Sequence, residues 1–463
     1  MSDKRGLLLR EKKSAYEVLS EHEWENILDY SKGYMAFLDA GKTERECVCE
    51  IEKLAQSHGF SCWDRTRDKA VPGGAFYTQK HGKAIMLAVP GCRPISQGVR
   101  MVASHIDSPR IDLKPYPLYE KDGFAIFKTH YYGGIKKYQW MATPLSLHGA
   151  VYLKNGDLKE VSIGGNPGDP VLFISDVLPH LAKNQSDKTV GKAFSGENLN
   201  ATAGARPDQD QGDDRIKLRV LDILHERYGM TENDFQSAEL CLCPANKARD
   251  VGLDRSMIGA YGQDDRACAY AALKAILEVK NPEYTTACIM ADKEEIGSEG
   301  ITGMQSGFFD AVLRDMCSEQ GVSLYECYEN SFCLSGDVCN AFDPNFADVS
   351  DPQNNARAGF GPGVFKATGH RGKSGASDAS GQTMSRLRQL LDDAGVPWQM
   401  GEMGKVDQGG GGTVAKYIAN RGIEVVDIGV PVISMHSTFE VTAKIDCYFT
   451  YKAFLAQFMS GNS

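Results

Sequence analysis

The sequence has no apolar run approaching the roughly 18 residues that a membrane-spanning helix needs, so no membrane partner is expected. Its opening, Met1-Ser2-Asp3-Lys4-Arg5, lacks an apolar core and a small-residue cleavage site. No secretory signal is expected there. No stripe of Lys or Arg offsets the net charge of −10, which argues against a nucleic-acid surface and fits a soluble cytoplasmic protein. The 13 cysteines are scattered, and Cys47/Cys49, Cys241/Cys243 and Cys333/Cys339 have neither zinc-ribbon nor Cys-x-x-Cys spacing. Reduced thiols serving as small core residues are expected. Gly409 to Gly412 is not followed by the Lys-Ser/Thr of a phosphate loop and reads as a turn before a helix. There is no internal repeat.

What is present is an ordinary globular composition, 42% hydrophobic and 24% charged over 463 residues, with a prior of two or three domains. Residues 13–40 and 43–57 carry helical spacing, and Thr43 with Glu46 three residues on forms a capping-box pattern. Apolar runs at 84–89 and 99–104 read as strands. From about 112 the texture changes to Pro115, Tyr116, Pro117, Tyr119 and Tyr131-Tyr132-Gly133-Gly134, then to alternating runs at 149–154 and 158–163. The polar, aperiodic stretch 184–214 reads as a mobile loop. Strand-helix alternation resumes near 253, with helices expected at 267–279, 379–394, 412–421 and 442–459. This pattern predicts an α/β fold: a doubly wound mixed-sheet domain, residues 1–111 and 253–463, interrupted by a β-rich insertion domain, residues 112–252.

The chemistry concentrates at run ends. Tyr284 to Met290 leads into Asp292-Lys293-Glu294-Glu295-Ile296-Gly297-Ser298, where two adjacent carboxylates meet a glycine-permitted turn. A paired Glu before a glycine is most often a solvated strand end, but four other runs end alike, in His105-Ile106-Asp107, Asp264-Asp265-Arg266, Gly336-Asp337 and Met435-His436. A hydrolase can use two divalent cations about 3.5–4 Å apart, which need a bridging carboxylate, mixed His and carboxylate ligands and one free carboxylate base. His105, Asp264, Glu294, Glu295, Asp337 and His436 supply such a set. In an open α/β sheet all six would lie at the carboxyl ends of strands.

Together with Ser104-His105-Ile106-Asp107-Ser108-Pro109 and Asp292 to Glu299, these stretches resemble the aspartyl aminopeptidase family of metallopeptidases (M18), which also holds the vacuolar aminopeptidase I group. The resemblance implies His105 and Asp337 on one metal, Glu295 and His436 on the other, Asp264 as bridge and Glu294 as general base, with Asp107 orienting His105. The metals would be zinc, with cobalt or manganese also compatible. Two departures stand out: Asp265 follows the bridge where the family usually has Asn, and Asn340 and Asp343 occupy a stretch that often carries histidines. The resemblance further implies that His180 reaches a neighbouring subunit's site, that Lys366 lies near the substrate pocket and meets an acidic side chain, and that dimers built through the insertion assemble into a dodecamer. The expected activity is release of unblocked N-terminal residues, acidic or apolar, from peptide substrates. The alternatives are a related di-metal amidohydrolase of deacylase or carboxypeptidase type, or a non-catalytic metal-bound scaffold.

Overall fold

The computed structural model describes residues 4, 8–9, 13–65 and 67–461. Three sheets organise the chain. The largest has nine strands, in spatial order Ser61–Cys62, Phe76–Lys80, Ala84–Val89, Thr285–Ala291, Val99–His105, Phe332–Gly336, Glu424–Gly429, Gly363–Phe365 and Gln399–Met400. Its centre is parallel: Val99–His105 pairs in parallel with Thr285–Ala291 and with Phe332–Gly336, which pairs in parallel with Glu424–Gly429. Antiparallel neighbours, Ala84–Val89 and Gly363–Phe365, flank that centre.

Both faces of this sheet are covered. Ile85, Leu87, Cys288, Met290 and Leu334 join one core with Tyr34, Ile51, Leu273 and Phe454 from helices Glu21–Ala40, Glu44–Ser57, Gln263–Glu278 and Lys444–Met459. Ala84, Met86, Ala287, Ile289 and Cys333 join the other core, with Val312 and Met316 from Phe308–Glu319 and Ile418 from Ala415–Ala419. That period-2 division is why these strands read as unbroken apolar runs. The Thr43 cap is present as expected: its hydroxyl accepts from the Glu46 amide at 3.3 Å, and the Glu46 carboxylate accepts from the Thr43 amide at 2.9 Å.

The second sheet has seven antiparallel strands, in order Leu158–Ile163, Leu145–Tyr152, Ala238–Pro244, Arg110–Lys121, Phe124–Tyr132, Ala201–Gly204 and Phe173–Ile174. It has its own core, in which Phe127, Trp140, Leu147, Leu240 and Leu242 pack with Leu224 of helix Arg215–Tyr228. The stretch 184–214 is not simply loop. It carries Val190–Ala193, a one-turn helix, and the strand Ala201–Gly204, which pairs with both Phe124–Tyr132 and Phe173–Ile174. Four residues are too few for a period to register in the sequence.

The third sheet, of five short strands, joins Arg249–Val251, Met257–Ala260, Glu440–Ala443, Pro431–Ile433 and Cys339–Asn340. It matters because two of the candidate ligands come off it.

Candidate metal centre

His105, the last residue of Val99–His105, lies beside the strand that delivers the Glu pair. After that strand, Lys293 in the left-handed region at φ 67° and Gly297 at φ 105° bracket a one-turn 3-10 helix, Glu294–Ile296. The turn that lets both carboxylates face one centre therefore begins before the pair, at a lysine. Asp337 directly follows Phe332–Gly336. Asp264 and His436, by contrast, do not follow strands of the nine-stranded sheet as expected. Asp264 opens helix Gln263–Glu278 after Met257–Ala260, and His436 follows Pro431–Ile433, both from the five-stranded sheet. The helix begins four residues earlier than the periodicity suggests, so Asp264 and Asp265 sit in its first turn, joined by a cis peptide bond.

These residues converge. The two Asp264 carboxylate oxygens face two imidazoles: Oδ1 lies 3.3 Å from His105 Nε2 and Oδ2 lies 3.0 Å from His436 Nε2. His436 Nε2 is also 3.4 Å from Glu295 Oε1, and His105 Nε2 is 4.0 Å from Glu294 Oε2. Ligand atoms of His105, Asp264 and Glu295 lie within 4.8 Å of one another, as do those of Asp264, Asp265 and Asp337. The ring tautomers follow from the partners. His105 Nδ1 faces only acceptors, Asp107 Oδ1 at 3.2 Å and the Asp107 carbonyl at 3.1 Å. His436 Nδ1 donates to the Gly134 carbonyl at 2.7 Å. Each ring thus keeps a proton on Nδ1 and turns Nε2 toward Asp264, so that Nε2 is the atom that would meet a metal.

Two supporting groups escaped the sequence reading. Tyr132 donates its hydroxyl to Asp107 Oδ2 at 2.8 Å, and Asp107 in turn accepts from the Glu294 and Glu295 amides at 3.1 and 3.2 Å. Glu440, 1% exposed, accepts from the Gln263, Asp264 and His436 amides at 2.6, 3.2 and 2.7 Å. It ties together two candidate ligands far apart in the chain. Its signal was a lone carboxylate inside the strand Glu440–Ala443. Asp265 does not join the bridge contacts to the histidines; its Oδ1 accepts from the Val338 amide at 3.1 Å, next to Asp337.

The electrostatics are those of buried, crowded acids. Burial pushes the Glu295 and Asp337 carboxyls well above the usual range, with Asp264 adding to the first and Asp265 to the second. Burial also raises Asp265, and pushes Glu294 up to about 7. Asp264 moves the other way: burial opposes its ionisation, but hydrogen bonds from His105 and His436 hold it below the usual range. Burial works against a charge on His436, yet the Asp264 hydrogen bond and Glu295 raise it to about 10. Glu295 Oε1 and Asp265 Oδ2 are buried without a hydrogen bond. Orphaned carboxylate oxygens beside two correctly turned imidazoles fit divalent cations.

Two expected site residues are not brought to this centre within one chain. His180 is exposed on the one-turn helix Pro179–Leu181 and makes no hydrogen bond or ion pair with the described residues. Lys366 is exposed just after the strand Gly363–Phe365.

Against known families, residues 37–458 match the model of the aminopeptidase I zinc metalloprotease family, M18. The chain belongs to the M18 family. It is 43% identical over 453 residues to a probable M18 family aminopeptidase 1 of Borrelia garinii subsp. bavariensis, covering 96% of this chain and 99% of that one. The crystal structure of an M18 aminopeptidase from Thermotoga maritima superposes with a TM-score of 0.93 at 43% identity, covering 97% of this chain and 99% of the other. A structure described as the mApe1 dodecamer of S. cerevisiae shares the fold, with a TM-score of 0.76 at 21% identity over 93% of this chain and 96% of that one. This M18 member is accordingly a metalloaminopeptidase with a mixed α/β fold of several sheets. Among the described residues no helix is long and apolar enough to cross a membrane.

Proposed function

We propose that this M18 aminopeptidase releases unblocked N-terminal residues, acidic or apolar, from peptides in the cytoplasm, with two divalent cations held by five side chains and a water as nucleophile. His105 and Asp337 would hold one ion, Glu295 and His436 the other, with Asp264 shared between them. Zinc is the ion of the family model, and cobalt or manganese suit the same donors. When bound, such a pair polarises the scissile carbonyl and acidifies water. Glu294 takes the proton from the attacking water and returns it to the leaving amine. Its oxygen lies 4.0 Å from His105 Nε2, beside the centre but outside the five assigned ligands, the place a general base needs. The observation that carries this reading is the pair of contacts at Asp264, one carboxylate oxygen to each imidazole at 3.3 and 3.0 Å.

In the same reading residues 1–111 and 253–463 are the catalytic domain of a doubly wound sheet, and residues 112–252 are an insertion domain for dimerisation. Dimers assemble into a dodecamer, as the yeast neighbour's description suggests. The exposed His180 then has a place to go, the site of the partner subunit, where it donates to the substrate carbonyl. Lys366 meets an acidic substrate side chain, and a Lys366→Met enzyme should lose preference for Glu over Leu at the N-terminus.

One assay tests the activity. The zinc-loaded protein is given a free peptide and its N-acetylated counterpart, and products are followed by mass. Stepwise loss of N-terminal residues from the free peptide alone is expected. Cleavage of the acetylated peptide, or release from the carboxyl end, would overturn the reading in favour of a deacylase or carboxypeptidase-type amidohydrolase.

A further inference from the structure

We propose that Tyr132, Gly133 and Gly134, at the end of strand Phe124–Tyr132, form a clamp by which the seven-stranded sheet orients both metal-facing histidines, with Tyr132 a positioning residue acting through Asp107. The proposal rests on His105 and His436 being metal ligands. Each of the three consecutive residues addresses a different part of the centre.

Asp107 is fully buried and receives four donors, two on each oxygen. Oδ1 takes His105 Nδ1 at 3.2 Å and the Glu294 amide at 3.1 Å; Oδ2 takes the Tyr132 hydroxyl at 2.8 Å and the Glu295 amide at 3.2 Å. Without the phenol, Oδ2 keeps one long contact, and the carboxylate is free to swing out of the plane that holds His105. Tyr132 is itself held in place, since the Arg110 guanidinium lies 4.1 Å over its ring and pairs with Glu44 at 2.8 Å, on helix Glu44–Ser57. Gly133, at φ 75°, makes the turn; a Cβ there would sit 3.3 Å from Glu295 Cβ and 3.4 Å from Pro109 Cβ. Gly134 then presents its carbonyl to His436 Nδ1 at 2.7 Å. The sheet that supplies none of the five candidate ligands therefore fixes the angle of two of them. This segment is one route from that sheet to the centre; the other is strand Arg110–Lys121, which follows Asp107 in the chain.

Zinc dissociation constants from chelator competition test the clamp without reference to turnover. Tyr132→Phe keeps the ring that Arg110 covers and removes only the donor. It should weaken zinc binding by roughly 10–100-fold, the usual cost of losing an outer-shell partner. Asp107→Ala should weaken it at least as much, and the double variant no further than Asp107→Ala, because both act on one path. Gly133→Ala, which crowds Glu295 by another route, should also weaken binding. A Tyr132→Phe constant within about twofold of wild type, or losses that add in the double variant, would overturn the proposal. His105→Ala separates the two levels: if it kept both ions at wild-type affinity, the ligand assignment would fail, whereas a failure confined to Tyr132→Phe and Gly133→Ala would remove the clamp alone.

Discussion

The two large sheets bury their strands in different ways. In the nine-stranded sheet, Ala84–Val89, Val99–His105 and Thr285–Ala291 are buried at every position, because helices cover both faces. In the seven-stranded sheet, Phe124–Tyr132 buries Ala125, Phe127 and Thr129 and turns its alternate residues outward, while Leu158–Ile163 buries Val161 alone. A strand covered on both faces has only its ends for polar chemistry, so His105, the Glu pair and Asp337 appear there. A sheet with one open face has surface to spare. Val171, Phe173, Leu178 and Leu181 are exposed on its side of the molecule, where the proposed dimer would form.

The contrast breaks most visibly at the bridge. Asp264→Ala should lose both ions together and reduce turnover to background, because a bridging carboxylate also offsets repulsion between two cations; metal analysis showing one ion at full occupancy would make Asp264 a terminal ligand. Glu294→Gln should lower kcat by about a hundredfold to ten-thousandfold with zinc content unchanged. Activity within about tenfold of wild type would remove it as the base.

On the other sheet the effects should be smaller and of another kind. His180→Phe should lower turnover by about a hundredfold with metals and assembly intact. Mixed with Glu294→Gln, it should regain activity, since one site then receives a good base and a good His180 from different chains. Absence of complementation, when subunits demonstrably exchange, would place His180 in its own subunit's site or in none. Phe127→Ala, which empties a position 2% exposed against Phe235, should cost about 3–5 kcal/mol of unfolding free energy, read from denaturant titration. Zinc per folded chain should stay unchanged, and a loss below about 1 kcal/mol would show that this core collapses around the gap.

Much of the catalytic side was legible because it is written in long local patterns. Ala84–Val89 and Thr285–Ala291 announce themselves as unbroken apolar runs, and Thr43 with Glu46 announces a helix start. The five-stranded sheet was not legible. Its strands are two to four residues long, so Asp264 and His436 were expected at the edge of one open sheet when they come off another. The groups that hold the centre were hidden for a different reason. Tyr132 reaches Asp107 across 25 residues, Glu440 reaches Gln263 across 177, and Gly134 reaches His436 across 302. No periodicity encodes such pairings; only a lone carboxylate in an apolar strand hinted at Glu440. The expected loop at 184–214 concealed Ala201–Gly204 because pairing with Phe124–Tyr132, not its own four residues, makes it a strand.

The most direct measurement is anomalous diffraction at the zinc edge from a zinc-loaded crystal. The account predicts two peaks per chain about 3.5–4 Å apart, one among His105, Asp264 and Asp337 and the other among Asp264, Glu295 and His436, with Glu294 bound to neither. A single peak, a pair that Asp264 does not join, or Glu294 within bonding distance of an ion would contradict it.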